Sequence, residues 1–339
     1  ELRVLAELLE VPVYTSLVGK SAIDERHPLA LGSGGMTTTG PARQWLDDSD
    51  VMFAVGTSLT TTPYGQRFDP NKFLIHCVND VNEINKDTVC DVGLVGDAKL
   101  TLKLMIDHVK GLIGEEGRTT GVTQRIKIAK DAWWASWMPY LENDSNPISP
   151  YRVIWELNQN LDKESSIVTH DAGAPRDQIG PFYIATTPHS YVGWGKTTHL
   201  GASIPLMIGA KKAMPDRMCV AFMGDAAFGM SGLDMETAVR ANLPITVVLL
   251  NNGIMATYPG GTPTAREQFG VTHMSGDYGQ IAMGMGAEGI YVSKASELPD
   301  ALLKASRLNK EGKTVMIDVK TRNEDSRAPH KFIEKNSVN

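Results

Sequence analysis

The sequence predicts an α/β protein with two doubly wound parallel-sheet domains, the first of them Rossmann-like. Short apolar runs rich in Val and Leu recur along the chain, and helix-like segments separate them. The clearest pair, Met218–Asp225 and Ile245–Asn252, is typical of parallel strands buried on both faces. A helical segment with Ser231 as its expected cap connects them. Because such βαβ units are right-handed, both strands should end at the same edge of one sheet.

The beginning of the chain shows the same alternation. Residues 51–59 and 72–80 are predicted strands, and residues 98–109 are predicted to form the helix that closes this part. Trp133, Trp134 and Trp137 have helical spacing, and we expect them to pack a connecting segment onto one domain. The expected division is a first domain at 1–110, a connector at 111–147, a second domain at 148–322 and a C-terminal tail at 323–339.

Composition and charge argue against several kinds of partner. The 339 residues are 42% hydrophobic and 21% charged, with a formal net charge of −6, as in an ordinary globular protein. No cluster of Lys and Arg suggests nucleic acid binding. The apolar runs are shorter than the roughly 20 residues that cross a bilayer, and no signal peptide is visible, so no membrane partner is expected. Three cysteines without Cys-x-x-Cys spacing favour a reducing, cytoplasmic location.

The shared sheet edge carries an acid and an amide. Asp225 follows the first strand of the βαβ unit and Asn252 follows the second. Carboxylate and amide oxygens suit Mg²⁺, which phosphate oxygens usually complete. The small residues Ala226 and Ala227 allow backbone N–H groups to approach a phosphate closely. In the competing interpretation Asp225 caps a helix and Asn252 satisfies a turn, but their joint position on one unit favours the metal site.

These residues resemble a known cofactor motif. Gly-Asp, a helix and Asn-Asn at this spacing are similar to the thiamin diphosphate motif of the acetolactate synthase-like enzymes, with Ala226 where Gly is more frequent. GDAAFGMSGLDMET with NNGI looks most similar to the branch of oxalyl-CoA decarboxylase and 2-hydroxyacyl-CoA lyase. The resemblance implies that the second domain is a thiamin diphosphate-binding fold. Mg²⁺ would then be held by Asp225, the Asn252 side chain and the backbone carbonyl of Ile254, with two diphosphate oxygens.

The segment GWGKTTHLGASIPLMIGAK resembles the family's Gly-Leu-Gly-Thr-Met-Gly segment. This resemblance places Leu200 where a large apolar side chain wedges between the two cofactor rings. Such a wedge holds the bent form in which the 4′-amino group approaches thiazolium C2. His199 is either a polar group over the cofactor or hydrogen-bonded structure. Leu200 and His199 are the candidate catalytic residues.

Further cofactor contacts are expected at neighbouring strand ends. In relatives, the turn that corresponds to Asp171 and Gly173 lies near the diphosphate and the substrate. Met255 and Tyr258 either line the mouth of the site or pack as ordinary loop residues. Arg176 and Asp177 are expected to form an ion pair that fixes their loop. The predicted cofactor contacts are Asp171, Gly173, Leu200, Gly224, Asp225, Ala226, Ala227, Asn252, Ile254 and Met255.

The first domain resembles the middle domain of the same enzymes. The resemblance rests on PVYTSLVGKSAIDERHPLALG and IHCVNDVNEINKDTVCDVGLVGDAK. In several relatives this domain holds FAD or the ADP part of a CoA ligand. Asn79 stands where an acid is usual and Val81 where Pro is usual, so a bound FAD or CoA-type nucleotide stays an open question. We interpret residues 32–40 as a plain loop, with phosphate binding as the alternative.

The resemblance implies a thiamin diphosphate- and Mg²⁺-dependent lyase or carboligase that acts on a 2-oxo acid. One alternative is an enzyme similar to oxalyl-CoA decarboxylase or 2-hydroxyacyl-CoA lyase, with an acyl-CoA substrate. Another is a non-catalytic nucleotide-binding module. In the family, a Glu from an N-terminal pyrimidine-binding domain activates the cofactor across a dimer interface, and no segment of this sequence resembles that domain. We therefore expect catalysis to need such a domain or subunit, in a homo- or hetero-oligomer.

Overall fold

Helices and parallel strands alternate along the chain. The computed structural model describes residues 1–63, 65, 67–194, 197, 199–255 and 263–324. The strands are β1 Val13–Ser16, β2 Ala30–Gly34, β3 Val51–Val55, β4 Phe73–Val78, β5 Val92–Val95, β6 Ser166–His170, β7 Tyr191–Val192, β8 Met218–Gly224, β9 Ile245–Asn251, β10 Glu288–Val292 and β11 Val315–Lys320. The helices are α1 Leu2–Leu9, α2 Gly40–Asp48, α3 Ala98–Ile113, α4 Val122–Leu141, α5 Pro150–Asn160, α6 Ala174–Ile179, α7 Ser203–Ala213, α8 Asp225–Ser231, α9 Asp234–Arg240, α10 Pro263–Phe269, α11 Tyr278–Gly284 and α12 Leu298–Lys310.

The second half of the chain folds around a six-stranded sheet. Its order is β10-β11-β9-β8-β6-β7, and every pair of neighbouring strands is parallel. Side chains alternate between two cores, so that in β8 Val220 and Phe222 face one core and Ala221 and Met223 face the other. Helices α4, α5 and α12 pack on the first face, and α7, α8, α9 and α11 pack on the second. This arrangement confirms the predicted doubly wound α/β fold.

The connection between β8 and β9 is two helices rather than one. Helix α8 begins directly at Asp225 and ends at Ser231, and α9 begins at Asp234 without a side-chain cap. The expectation that Ser231 caps the helix is therefore wrong. The chain turns between the helices at Gly232, where a Cβ atom would lie 2.6 Å from the Phe228 ring. Gly232 and Leu233 separate the two helices, and a larger residue at Gly232 would clash with the Phe228 ring.

The strands of the first half lie in two small parallel sheets instead of one continuous sheet. One sheet is β1-β2 and the other is β3-β4-β5. Helix α1 contacts the cores of both, because Ala6 packs with Val13 while Leu5 packs with Phe53. The predicted strands at 51–59 and 72–80 are shorter in the structure, where they end at Val55 and Val78.

Helix α4, in the connecting segment, packs against the second half of the chain at Phe182. Trp133 stacks on Phe182, with ring centroids 5.8 Å apart and planes at 3°, and Trp137 lies 4.7 Å from the same ring. Trp134 also contacts this ring, edge-on at 6.2 Å. The expected packing role of the three Trp residues is confirmed. None of the described helices is both long and apolar enough for a membrane span.

Candidate functional site

Asp225 joins the carboxyl ends of β8 and β9. Its side chain is 2% exposed, and its Oδ2 accepts a hydrogen bond of 2.7 Å from the Gly253 N–H, just beyond β9. Its Oδ1 accepts one of 2.8 Å from the Ala226 N–H. Burial raises the pKa of Asp225, and these two amide hydrogen bonds oppose the increase. The structure thus brings together the two strand ends that the sequence predicted to form one site.

Asn252 and Ile254 flank Gly253 in the loop that follows β9 at this edge. The Asn252 Oδ1 accepts a 3.0 Å hydrogen bond from the Ile254 N–H, which folds the loop back on itself. The loop is fastened to residues 272–274, since Met255 N–H donates to the Thr272 carbonyl at 2.7 Å and Met274 N–H donates to the Gly253 carbonyl at 2.9 Å. Within the described residues, no donor contacts the Ile254 carbonyl.

The chemistry of this donor set fits a hard cation. A carboxylate, an amide oxygen and a backbone carbonyl are the ligand types that Mg²⁺ takes in proteins. Next to them, a Cβ atom on Gly224 would meet only the Pro175 ring, at 3.8 Å, so the turn leaves space beside Asp225. The described residues contain no cluster of three or more His, Cys, Asp and Glu side chains suited to a metal ion. The assignment of Asp225, Asn252 and Ile254 to Mg²⁺ stays a prediction.

The two small residues after Asp225 differ in their hydrogen bonding. Ala226 N–H is engaged with Asp225, whereas Ala227 lies one position further into the first turn of α8 and is buried. Phosphate contact by either residue stays a prediction, and Ala227 is the better placed, since the first N–H groups of a helix lack partners within it.

Asp171 lies at the end of β6 and faces a neighbouring loop. Its carboxylate is fully buried and accepts four hydrogen bonds. The donors are Ala172 N–H at 2.8 Å, Gly201 N–H at 2.9 Å, Ser203 N–H at 3.0 Å and the Ser203 hydroxyl at 2.7 Å. These contacts favour a role in holding that loop over the direct cofactor contact expected for Asp171. Gly173, with φ +80°, precedes α6 in the same turn, and its cofactor contact stays a prediction.

The loop held by Asp171 forms one wall of a cleft. The cleft has a volume of about 460 Å³ and is lined by His199, Leu200, Gly201, Pro205, Met230, Ser231 and Asp234. Leu200 is half-buried against the second core, while His199 is exposed. At φ +88°, Gly201 lies against α8 so closely that a Cβ atom would be 2.9 Å from Ser231 Oγ. Both candidate catalytic residues therefore line one cleft beside α8.

Two further predictions concern flanking residues. Arg176 and Asp177 form a buried ion pair at 2.8 Å, which confirms the expected pairing. Met255 is half-buried and its N–H is bound to Thr272, and its contact with a cofactor stays a prediction. Tyr258 lies outside the described residues.

Sequence reasoning assigned no role to Asp318, although it interrupts the apolar strand β11. Its Oδ1 accepts a 3.0 Å hydrogen bond from Asn251, and its Oδ2 accepts bonds from the Tyr278 and Gly279 N–H groups at 3.2 and 3.3 Å. Asp318 therefore ties β9 and β11 to the start of α11, and Tyr278 in turn lies edge-on to Phe228 of α8 at 5.6 Å. An acid inside a buried strand is the signal that could have identified it.

The sequence also predicted no role for His170, the residue before Asp171. Its ring stacks on Trp194 at 5.1 Å, and its Nε2 accepts a 3.3 Å hydrogen bond from the Trp194 N–H. The His170 carbonyl accepts one of 3.0 Å from the Trp194 indole. With Nε2 as acceptor, Nδ1 carries the proton and lies 3.2 Å from the Asp171 carbonyl. Burial lowers the pKa of His170 to about 3, so the ring is neutral at physiological pH.

Both halves of the chain match family models of the same kind of enzyme. A family model described as "Thiamine pyrophosphate enzyme, central domain" matches residues 1–105. A second, described as "Thiamine pyrophosphate enzyme, C-terminal TPP binding domain", matches residues 171–319. The second match begins at Asp171 and contains the cleft and the Asp225 edge.

Individual relatives agree with these matches. The chain is 33% identical over 262 residues to a probable acetolactate synthase large subunit of Methanococcus aeolicus, covering 74% of this chain and 44% of the relative. It is 29% identical over 332 residues to the acetolactate synthase isozyme 3 large subunit of Escherichia coli, covering 94% and 56%. A putative thiamine pyrophosphate-containing protein of Bacillus subtilis, YdaP, is 27% identical over 329 residues, covering 96% and 54%. The chain thus spans about half the length of the curated relatives it matches.

Proposed function

Because this chain belongs to the thiamine pyrophosphate enzyme family, we propose that it binds thiamin diphosphate and Mg²⁺ for a lyase or carboligase reaction on a 2-oxo acid. The observation that carries the proposal is the Asp225 carboxylate, which bridges two strand ends beside the Asn252 amide and the Ile254 carbonyl. Parallel α/β sheets bind ligands at this edge.

We propose that two parts of the chain share the binding of the cofactor. Asp225, Asn252 and Ile254 would hold Mg²⁺ and through it the diphosphate, while Leu200 in the cleft would support the rings. When bound, thiamin diphosphate supplies a carbon nucleophile that adds to the carbonyl group of a 2-oxo acid. His199 is exposed at the cleft, where it is able to contact a substrate.

We also propose that activity needs a pyrimidine-binding domain, as the resemblance to these enzymes implies. The two family models that match describe a central and a C-terminal domain. That domain would come from the same polypeptide or from another subunit. Either arrangement makes an oligomer the expected active form.

The relatives' names favour a 2-oxo acid over an acyl-CoA as the substrate. The relatives of Methanococcus aeolicus and Escherichia coli are named acetolactate synthase large subunits. Product analysis by mass spectrometry tests this choice, using the chain together with the pyrimidine-binding domain, on the same polypeptide or on a partner subunit. We expect carbon–carbon bond formation or CO₂ release from pyruvate. Turnover of oxalyl-CoA without turnover of pyruvate would favour the acyl-CoA alternative.

Calorimetry tests the cofactor site itself. We expect thiamin diphosphate to bind only with Mg²⁺, and Asp225→Ala to weaken this binding by at least about tenfold, because the variant removes the one anionic side chain among the predicted Mg²⁺ ligands. Asp277→Ala is the matched control, since Asp277 is an exposed acid that caps α11. Binding that is independent of Mg²⁺, or that is equal in the wild type and Asp225→Ala, would support the non-catalytic alternative.

A further inference from the structure

Two adjacent residues at the end of β6 contact both ends of one segment. His170 contacts Trp194, at the beginning of the segment 194–203, and Asp171 contacts Gly201 and Ser203 at its end. Between these anchors the segment passes through Leu200, which lines the cleft beside α8. The end of β6 therefore holds the backbone directly after Leu200 and, earlier in the chain, Trp194.

The anchor at Asp171 fixes the backbone next to Leu200. A buried carboxylate that accepts hydrogen bonds from two backbone amides and one hydroxyl of the same loop has few alternative arrangements. Gly201 adds a steric limit, because its left-handed backbone lies against Ser231 and Met230 of α8. The loop is thus held by hydrogen bonds on one side and by contact with α8 on the other.

The anchor at His170 fixes the other end by stacking and by hydrogen bonds. The neutral ring accepts from the Trp194 N–H and lies against the indole, whose own N–H donates back to the His170 carbonyl. Thr169, one residue earlier in β6, donates to the Val192 carbonyl at 2.6 Å. The end of β6 therefore also holds the chain at Val192, just before the segment begins.

We propose that His170 and Asp171 are positioning residues that hold the two ends of segment 194–203 and thereby set how far Leu200 enters the cleft. The proposal rests on the proposed function, in which Leu200 supports the rings of thiamin diphosphate. It assigns the two residues an indirect role, since their side chains contact the segment and not the cleft. Loss of these contacts should weaken binding of the cofactor rings but not of the diphosphate. The rings would contact Leu200, whereas the diphosphate would be held at the Asp225 edge.

The test compares two ligands, thiamin diphosphate with Mg²⁺ and inorganic diphosphate with Mg²⁺. In Asp171→Asn we expect affinity for thiamin diphosphate to fall at least about tenfold, because an NH₂ group replaces a buried acceptor. Affinity for inorganic diphosphate should change less than about twofold. Hydrogen–deuterium exchange without ligand should show faster exchange, by at least about tenfold, in peptides that cover Gly201 and Ser203.

Further variants separate positioning from damage to the fold. Leu200→Ala should reproduce the selective loss, and the double variant Asp171→Asn/Leu200→Ala should bind no more weakly than the weaker single variant. Ser203→Ala, which removes one hydroxyl, should give a smaller loss in the same direction if Asp171→Asn folds poorly. His170→Gln keeps an acceptor for Trp194 and should bind more tightly than His170→Leu. Asp97→Asn is the control, since Asp97 caps α3 in the first half of the chain.

The outcomes distinguish this proposal from the proposed function. An equal loss of both ligands in Asp171→Asn would show general damage and overturn the positioning role. Faster exchange with unchanged affinity for thiamin diphosphate would overturn it too, because the loop would then be held without consequence for the rings. If Leu200→Ala and Asp171→Asn weaken binding additively, the two residues act separately and the proposal is wrong. A wild-type chain that binds thiamin diphosphate no better than inorganic diphosphate would refute both this role and the ring contact proposed for Leu200.

Discussion

The buried His170, which directly precedes Asp171, is neutral in the folded chain. His170 has a pKa of about 3 in the fold against an ordinary value of 6.5, because burial disfavours the imidazolium. Between these values the unfolded chain binds a proton that the folded chain does not, so stability falls as the pH falls from 6.5 towards 3. We expect the free energy of unfolding to fall more steeply in the wild type than in His170→Gln, by up to about 1.4 kcal/mol per pH unit.

Urea denaturation at a series of pH values measures this difference. Other groups that titrate in the same range are present in both proteins and cancel in the comparison. Parallel curves for the wild type and His170→Gln would mean that the folded chain accepts the proton, and would contradict the buried, neutral ring described above.

The sequence predicted some residue roles better than others, for a physical reason. The sequence predicted that Asp225 and Asn252 lie at the same edge of the sheet, because the right-handed βαβ rule places the ends of consecutive parallel strands there. Asp171 was expected to touch the cofactor, yet the structure engages its carboxylate with Gly201 and Ser203. No local pattern encodes that contact, because the donors lie 30 and 32 residues away along the chain.

At the level of elements, the start of α11 depends on two acids in different environments. Asp277 is exposed and accepts a hydrogen bond from the Gln280 N–H, as an ordinary cap. Asp318 is buried in β11 and accepts from the Tyr278 and Gly279 N–H groups and from Asn251. We expect Asp318→Asn to lower the free energy of unfolding by about 1–3 kcal/mol, because an NH₂ group replaces one of the two acceptor oxygens and leaves a buried donor without its acceptor. Asp277→Asn should cost less than that, since Asn also caps helices and water reaches this position.

Denaturant titrations of the two variants test the order of these costs. A fluorescence or exchange probe on α11 should respond in Asp318→Asn, since Tyr278 connects this helix to Phe228 of α8. Equal costs for the two variants would show that Asp318 acts as a surface cap does, and that its contacts across three elements add nothing.

Element prediction from the sequence succeeded where apolar runs were long and bounded. Strands β8 and β9 were predicted almost to the residue, since every position of β9 is buried. The break between α8 and α9 was missed, because no side-chain cap marks it in the structure. Two sheets in the first half, where one was expected, reflect pairing that alternation alone does not determine.

At the scale of the whole molecule, a buried ion pair of the first half of the chain contacts the second half. Lys20 Nζ donates to both oxygens of Glu25, at 2.7 and 2.6 Å, and to the Gly180 carbonyl at 3.3 Å. Glu25 in turn accepts a 2.7 Å hydrogen bond from the Ala185 N–H. The Lys20 and Glu25 side chains are 1% and 6% exposed, so neither charge reaches bulk water. The first half of the chain therefore contacts the backbone of the second half at Gly180 and Ala185, on either side of Phe182, through this buried ion pair.

Removing one partner should cost far more than removing both. Lys20→Met leaves the Glu25 carboxylate buried without its cation, and we expect a loss of about 3–5 kcal/mol in the free energy of unfolding. The double variant Lys20→Met/Glu25→Leu should recover part of that loss, since a buried pair is often replaceable by apolar residues. Lys127→Met is the matched control, because Lys127 forms an exposed pair with Asp131 that should contribute less than about 1 kcal/mol.

A double-mutant cycle in urea decides between two roles for this pair. If Lys20 and Glu25 are coupled, the cost of the double variant will be smaller than the sum of the costs of the single variants Lys20→Met and Glu25→Leu. Additive costs would mean that each residue acts alone through Gly180 or Ala185. The cycle also bears on the site, because Gly180 directly follows α6, the helix that begins after Gly173. Loosening this junction should raise hydrogen exchange in α6 before the six-stranded sheet unfolds, since the sheet keeps its own two cores.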